Sequence, residues 1–384
     1  MGHRKNRKLG KKSRGCCFAR GIRKAKSLRK AGGFRNAAHL ALFSGVCAAA
    51  GVLAGAANYY YNYSLRSRKR DESIDQLPSE KEYVDGRRWM KTHPAREDVY
   101  IRADDGLWLH ANYIPADPSA GGEGVPFSTA EKDDKRNHRY VICVHGYLDL
   151  SSSMGLYARV YRDRYGMNVL LPDLRGHGMS DGHYVGMGLD DSGDILRWID
   201  WVLEKDPEAQ IVLHGISMGA ATVLMTTGRH LPRQVAAAVA DSSYTSAMDI
   251  FKSVYYGSGS REKGEQEASR KKAAFWMRAV FRKLSAPVLL SMVRVIALFR
   301  TGYDISKASP LEAVARSKTP TLFIHGQADT FVPPRMMPPL YRAAACPKAF
   351  LWIPGAEHVQ SVNVDPETYW AKVEKFLHAR GLAL

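Results

Sequence analysis

The sequence predicts an α/β fold: a mostly parallel central sheet with flanking helices and a helical cap insertion, preceded by one N-terminal transmembrane helix. Three observations predict it. Six short apolar runs alternate with helical patterns between Tyr140 and His378, as strands and crossover helices do. The alternation stops between Ser242 and about Pro310. Residues 37–57, AAHLALFSGVCAAAGVLAGAA, form a stretch of 21 without formal charge, long enough as a helix to cross a hydrocarbon core of about 30 Å.

The elements follow in chain order. Residues 1–36 hold fourteen Lys and Arg and no Asp or Glu, so most of the formal charge of +18 lies there; the remainder carries 42 basic against 38 acidic residues. The segment reads as a basic cytoplasmic tail whose partner, beside an apolar run, is anionic lipid. Nucleic-acid binding is the alternative for such an arm, and no nucleic acid is expected. Residues 37–57 read as the membrane span, with Tyr59, Tyr60, Tyr61 and Tyr63 at headgroup level. Arg66, Arg68, Lys69 and Arg70 flank the far side; fourteen charges against four keep the N-terminus in the cytoplasm and put the remainder on the outer face. A cleaved signal peptide is the competing reading, since Ala54-Gly55-Ala56 resembles a cleavage site, but 36 residues exceed a usual n-region. Gly51 and Gly55 form a GxxxG pair that suits a weak homodimer.

Residues 58–95 are charged and without sustained apolar periodicity, which predicts a stalk. The main domain is expected over 96–384. Val99 to Arg102 and Leu107 to Tyr113 alternate around Asp104-Asp105-Gly106, a hairpin pattern. Residues 115–138 read as a surface loop. Strands are expected at Tyr140 to Val144, Met167 to Leu171, Gln210 to Leu213, Val235 to Ala240, Thr321 to Ile324 and Ala349 to Ile353. Helices are expected at Ser152 to Arg164, Asp190 to Glu204, Met218 to Arg229, Met336 to Ala345 and Glu367 to His378. The cap is expected over about 243–310, where Phe275, Trp276, Val280, Phe281 and Leu284 recur at helical spacing. An ordinary packing layer is the alternative for it.

The chemistry centres on Gly215-Ile216-Ser217-Met218-Gly219, which follows one apolar run and precedes a helical pattern. A GxSxG at a strand-to-helix turn exposes its serine hydroxyl, and the glycines permit the tight backbone. A serine that only caps the helix needs no such glycines. A hydroxyl is a weak nucleophile at neutral pH and needs a base held by a third group. Two candidates follow in chain order: Asp329, after the run Thr321 to Ile324, and His358, after the run ending at Ile353. Asp241 is the rival acid, and His145 and His177 are rival histidines that precede the serine. Backbone donors for a developing oxyanion are expected from the amides of Met218 and Tyr147, the latter in His145-Gly146-Tyr147. The five cysteines show no disulfide framework, CxxC or zinc spacing, so neither cofactor nor metal is expected.

These motifs, together with Asp173-Leu174-Arg175-Gly176-His177-Gly178-Met179-Ser180, resemble the α/β-hydrolase superfamily in its serine aminopeptidase and monoglyceride-lipase-like branch. The resemblance covers about residues 96–384 and is greatest to membrane-anchored or secreted bacterial members. It implies a serine hydrolase of the α/β-hydrolase fold, with Arg175 to Gly178 as a structural loop near the site. The expectation is hydrolysis of an ester or related acyl compound through an acyl-enzyme on Ser217. Aminopeptidase-like amide hydrolysis and a non-catalytic, surface-tethered binding module are the alternatives. Basic flanks around the apolar stripe of residues 273–300 point to acyl chains or a membrane surface.

Overall fold

Successive residues of a strand face opposite sides, and in the computed structural model eight strands form one sheet whose central members are buried on both faces. These are β1 (Glu97–Arg102), β2 (Trp108–Ile114), β3 (Arg139–Val144), β4 (Asn168–Pro172), β5 (Gln210–Ile216), β6 (Val235–Asp241), β7 (Thr321–Gly326) and β8 (Lys348–Ile353). Their order is β1-β2-β4-β3-β5-β6-β7-β8. β1 and β2 form the antiparallel hairpin, β2 meets β4 antiparallel, and every later pairing is parallel. The structure describes residues 44, 50–67, 81–117, 138–256 and 286–382.

The helices expected from periodicity are present: α4 (Asp191–Lys205), α5 (Met218–Thr227), α9 (Met337–Ala343) and α11 (Pro366–His378). The expected helix over Ser152 to Arg164 is divided into a 3-10 turn (Ser151–Met154), α3 (Gly155–Arg159) and a π turn (Val160–Arg164). Short helices α8 (Pro310–Val314) and α10 (Ser361–Val364) complete the connections. One side of the sheet buries Val141, Cys143, Val212, Val239, Leu322 and Ile324 with residues of α3 and α11. The other buries Ala240 and Phe323 with Leu224, Met337 and Leu340. Leu322 and Ile324 therefore face one core and Phe323 the other, as strand periodicity requires.

Two compact units divide the chain at Met1–Ala56 and Ala57–Leu384. A helix, α1, is described over 50–64, with Gly51 and Gly55 exposed. Most of residues 37–49 lie outside the described set, as do the basic tail, residues 118–137 and the stripe from Phe275 to Leu284. No helix among the described residues is long and apolar enough to cross a membrane.

The expected stalk, 58–95, is corrected wherever it is described. Tyr60 sets its ring edge-on to Phe251 and its hydroxyl donates to the Phe251 carbonyl. Arg300 donates to Asn58 and Asn62 and stacks over Tyr61. Residues 81–92, KEYVDGRRWMKT, form a further helix, α2 (Lys81–Thr92), whose buried residues are Tyr83, Gly86, Arg87 and Met90. That is an i, i+3, i+4, i+7 face, but two of its four positions are Gly and Arg, so no apolar stripe advertises it. Glycine is needed there for a physical reason. A Cβ on Gly86 would stand 2.4 Å from the Leu156 nitrogen, and one on Gly155 would stand 2.1 Å from the Gly86 carbonyl. The backbones of α2 and α3 touch directly.

Of the segment 243–310, where a cap is expected, α6 (Ala247–Tyr255) and α7 (Ala286–Thr301) are described. Ser246 caps α6 by accepting the Asp249 amide. α7 buries Leu289, Leu290, Val293 and Ala297 and leaves Val288, Val295, Leu298 and Phe299 in solvent, Phe299 with 86% of its surface exposed.

The α2–α3 contact yields a prediction with an informative sign. Alanine in place of glycine in an open helix stabilises by about 1 kcal/mol. Gly86→Ala should instead destabilise the protein by about 1–3 kcal/mol through overpacking, read as a lower urea midpoint in chemical denaturation.

Candidate active site

Parallel register brings the C-terminal ends of β3, β5, β6, β7 and β8 to one edge of the sheet, where open α/β folds bind ligands. Ser217 stands there between β5 and α5 with φ +53° and ψ −115°, a conformation costly for any residue but glycine. Close packing on each side enforces it. A Cβ on Gly215 would fall 2.3 Å from the Gly219 carbonyl, and one on Gly219 would fall 2.0 Å from that of Val144. The Ser217 amide donates to the Asp241 carbonyl at 2.8 Å, which ties the turn to β6.

Asp329 and His358 reach this serine from the loops after β7 and β8. His358 Nδ1–H donates to Asp329 Oδ2 at 2.7 Å, which leaves Nε2 to accept from Ser217 Oγ at 2.8 Å. This tautomer is the one that a carboxylate on Nδ1 selects. Phe331 packs its ring 4.9 Å from the imidazole. Burial works against ionisation of Asp329, but hydrogen bonds from His325 and His358 outweigh it and bring its pKa down to about 2. The amides of Phe331 and Val332 donate to its other oxygen at 2.9 and 2.8 Å.

The loop after β3 runs alongside: a Cβ on Gly146 would lie 3.6 Å from that of Ser217. Tyr147 follows in that loop, and Met218 opens α5 directly after the serine. Of the two residues expected to supply oxyanion donors, Met218 thus adjoins Ser217 in the chain and Tyr147 follows the Gly146 that lies against it. The Tyr147 side chain is itself tethered, its hydroxyl donating to the Ser64 carbonyl at 2.8 Å.

Residues 140–362 match the alpha/beta hydrolase fold family. The chain belongs to this family. Among its relatives, the protein YqkD of Bacillus subtilis is 27% identical over 261 residues, covering 68% of this chain and 77% of that protein. The solved Pyrococcus furiosus esterase Pf2001 superposes with a TM-score of 0.53 at 22% identity, over 74% of this chain and 91% of that one. A Mycobacterium tuberculosis puromycin-hydrolysing peptidase superposes with a TM-score of 0.51 at 17% identity, over 79% and 41%.

Within this α/β-hydrolase the rival residues have other partners. Asp241 is fully buried; its carboxylate accepts from Ser242 Oγ at 2.9 Å, and burial raises its pKa. His145 donates from Nδ1 to the Gly146 carbonyl and accepts the Leu174 amide at Nε2, bonds that shape the loop. His177 donates to the Arg175 carbonyl; burial and the neighbouring His145 lower its pKa to about 3. The Arg175 loop is held by ion pairs, Arg175 gripping both oxygens of Asp194 at 2.7 Å and Asp105 at 2.9 Å. Asp173, at the start of the same run, is also tied down. It accepts the amides of Ser151 and Met179 and pairs with His110 at 2.8 Å.

Several of these groups have no signal in the sequence: His110, Asp194, His325 and the Ser64 carbonyl belong to no motif. Asp191 is another. It is fully buried at the start of α4, where Oδ2 accepts the Gly188 amide at 2.8 Å and Oδ1 has no hydrogen-bond partner. Burial raises its pKa to about 7; Arg175 opposes the shift and Asp194 supports it.

Between about pH 4 and 7 the folded protein keeps the Asp191 proton that the unfolded chain releases, so this group's stabilising contribution is lost as pH rises through 7. Asp191→Asn keeps an acceptor for Gly188 without a titrating proton. Urea unfolding of the variant should show a flatter stability profile across pH 4–7 than the wild type, the two diverging by an amount on the order of a few kcal/mol.

Proposed function

We propose that this protein is a serine hydrolase that cleaves an ester or related acyl compound through an acyl-enzyme on Ser217. The observation that carries the reading is the unbroken relay from Asp329 through His358 to Ser217, with contacts of 2.7 and 2.8 Å. His358 Nε2 takes the hydroxyl proton as Oγ attacks the acyl carbon. The amides of Met218 and Tyr147 stabilise the tetrahedral oxyanion. His358 then gives its proton to the leaving group, and a water activated the same way releases the acid and restores the serine. Asp329, ionised at all working pH values, holds the Nδ1 proton and stabilises the imidazolium.

Ester hydrolysis is the leading reaction, and a structural neighbour that is an esterase supports it. Amide hydrolysis of an aminoacyl substrate is the second reading, supported by the peptidase neighbour. We further propose that residues 37–57 tether the enzyme to a membrane, with the basic tail against anionic lipid and the hydrolase outside the cytoplasm. The charge asymmetry supports this orientation, and the exposed Val288, Val295, Leu298 and Phe299 of α7 suit a substrate drawn from lipid.

Three outcomes test the reading. A fluorophosphonate probe should label the wild type and leave Ser217→Ala unlabelled; equal labelling of both would overturn the assignment, and no labelling of a folded wild type would favour a binding module. Asp329→Asn should lower kcat for p-nitrophenyl butyrate by about three to four orders of magnitude, whereas Asp241→Asn should stay within about tenfold of the wild type. Comparing p-nitrophenyl esters of graded chain length with aminoacyl p-nitroanilides should show esters preferred, with a rising response to acyl length.

A further inference from the structure

We infer that Tyr83, on α2, is a positioning residue for this site: its hydroxyl holds the backbone of the turn that aims His358. The inference rests on the proposal that His358 acts on Ser217. The turn spans 357–360, closed by the Gln360 amide donating to the Glu357 carbonyl at 3.1 Å, so His358 and Val359 are its two central residues. Val359 has φ +59°. Glycine or asparagine ordinarily fills a turn position with positive φ, and for a β-branched residue this conformation is a true outlier. Such backbone costs about 1–3 kcal/mol and persists only where its surroundings over-determine it.

Tyr83 supplies that determination. Its hydroxyl donates to the Val359 carbonyl at 2.9 Å across 276 positions of sequence. The tyrosine is fixed in turn. Packing does this: the Tyr157 ring meets its own edge-on, with the two hydroxyls 3.1 Å apart, and the backbone contact at Gly86 and Gly155 locks α2 against α3. Fixing the Val359 carbonyl fixes the path of the turn, and with it the direction in which the imidazole leaves the backbone. One turn further along α2, Arg87 pairs with Asp149 at 3.4 Å. Asp149 closes the loop that carries Gly146 and Tyr147, its amide donating to the Gly146 carbonyl. One helix thus grips the loops on both sides of Ser217, and it lies upstream of the 140–362 region that matches the family.

A hydroxyl that only filled space would be replaceable by phenylalanine, which makes Tyr83→Phe the discriminating variant. Tyr157→Phe is its control: it deletes the other hydroxyl of the same buried pair and leaves the Val359 bond intact. Both variants and the wild type are assayed with p-nitrophenyl butyrate, and kcat is expressed per site titrated with fluorophosphonate, so that loss of folded protein does not count as loss of rate. The expected result is a fall in kcat of about tenfold for Tyr83→Phe with KM unchanged, a fraction of what positioned proton transfer contributes, and wild-type kcat for Tyr157→Phe. Arg87→Gln cuts the second tie and should also lower kcat, which keeps the test decisive where Tyr83→Phe folds poorly. Unchanged kcat per site in Tyr83→Phe and Arg87→Gln, or an equal fall in Tyr157→Phe, overturns the inference. Failure of the wild type to label overturns the underlying reading instead, so the two failures are distinguishable.

Discussion

The constraint on which the rest of the site depends is the backbone of Ser217. Its positive φ is tolerated because the chain has no other path: Gly215 and Gly219 press against neighbouring carbonyls closer than any Cβ would allow, and the serine amide is bonded to β6. Parallel pairing does the remainder. Val144 lies opposite Gly215, Ile216 opposite Asp241, Asp241 opposite Ile324 and Gly326 opposite Ile353. Each strand therefore ends level with its neighbour, and the loops carrying Tyr147, Asp329 and His358 emerge around one point. The strain sits in the turn, and the sheet bears it.

Charge in this site is decided by donors rather than by depth. Asp329, Asp241 and Asp191 are all buried carboxyls. Asp329 receives two backbone amides and faces two histidines, and its pKa falls to about 2. Asp241 has one hydroxyl donor within 3 Å and one oxygen without a hydrogen bond, and its pKa is raised. Asp191 has one amide and an arginine shared with Asp194, and its pKa reaches about 7. Desolvation acts on all three; only Asp329 has enough hydrogen-bond donors to outweigh it. The acid most suited to steady an imidazolium is thus the one whose own charge is best supported.

What the sequence made legible follows the same division. Strands β3 to β8 announce themselves as apolar runs, and Ser217, Asp329 and His358 stand at the ends of three such runs in the order a strand-to-helix nucleophile requires. Those features depend on side-chain identity. The parts that were illegible depend on backbone atoms, which every residue carries: the Ser64 carbonyl that anchors Tyr147, the Val359 carbonyl that anchors Tyr83, and the Gly86 to Gly155 contact that needs the absence of a side chain. α2 escaped notice for a related reason. Its buried face includes Arg87, whose guanidinium is spent on Asp149, and so it reads as charged surface.

Cutting the chain at residue 96 would retain the relay, the elbow and every strand, and by motif alone the product would be complete. It would lose Ser64, the acceptor for the Tyr147 hydroxyl, Arg87, the partner of Asp149, and Tyr83, the donor to the Val359 carbonyl. The loops on either side of Ser217 would then keep their sequences and lose their external supports. Val359 would keep its unfavourable φ with nothing holding its carbonyl, and relaxation of that turn rotates the imidazole away from a hydroxyl 2.8 Å distant. Because proton transfer tolerates little misplacement, residues 57–67 and 81–95 support the candidate site, although they contribute no reacting atom.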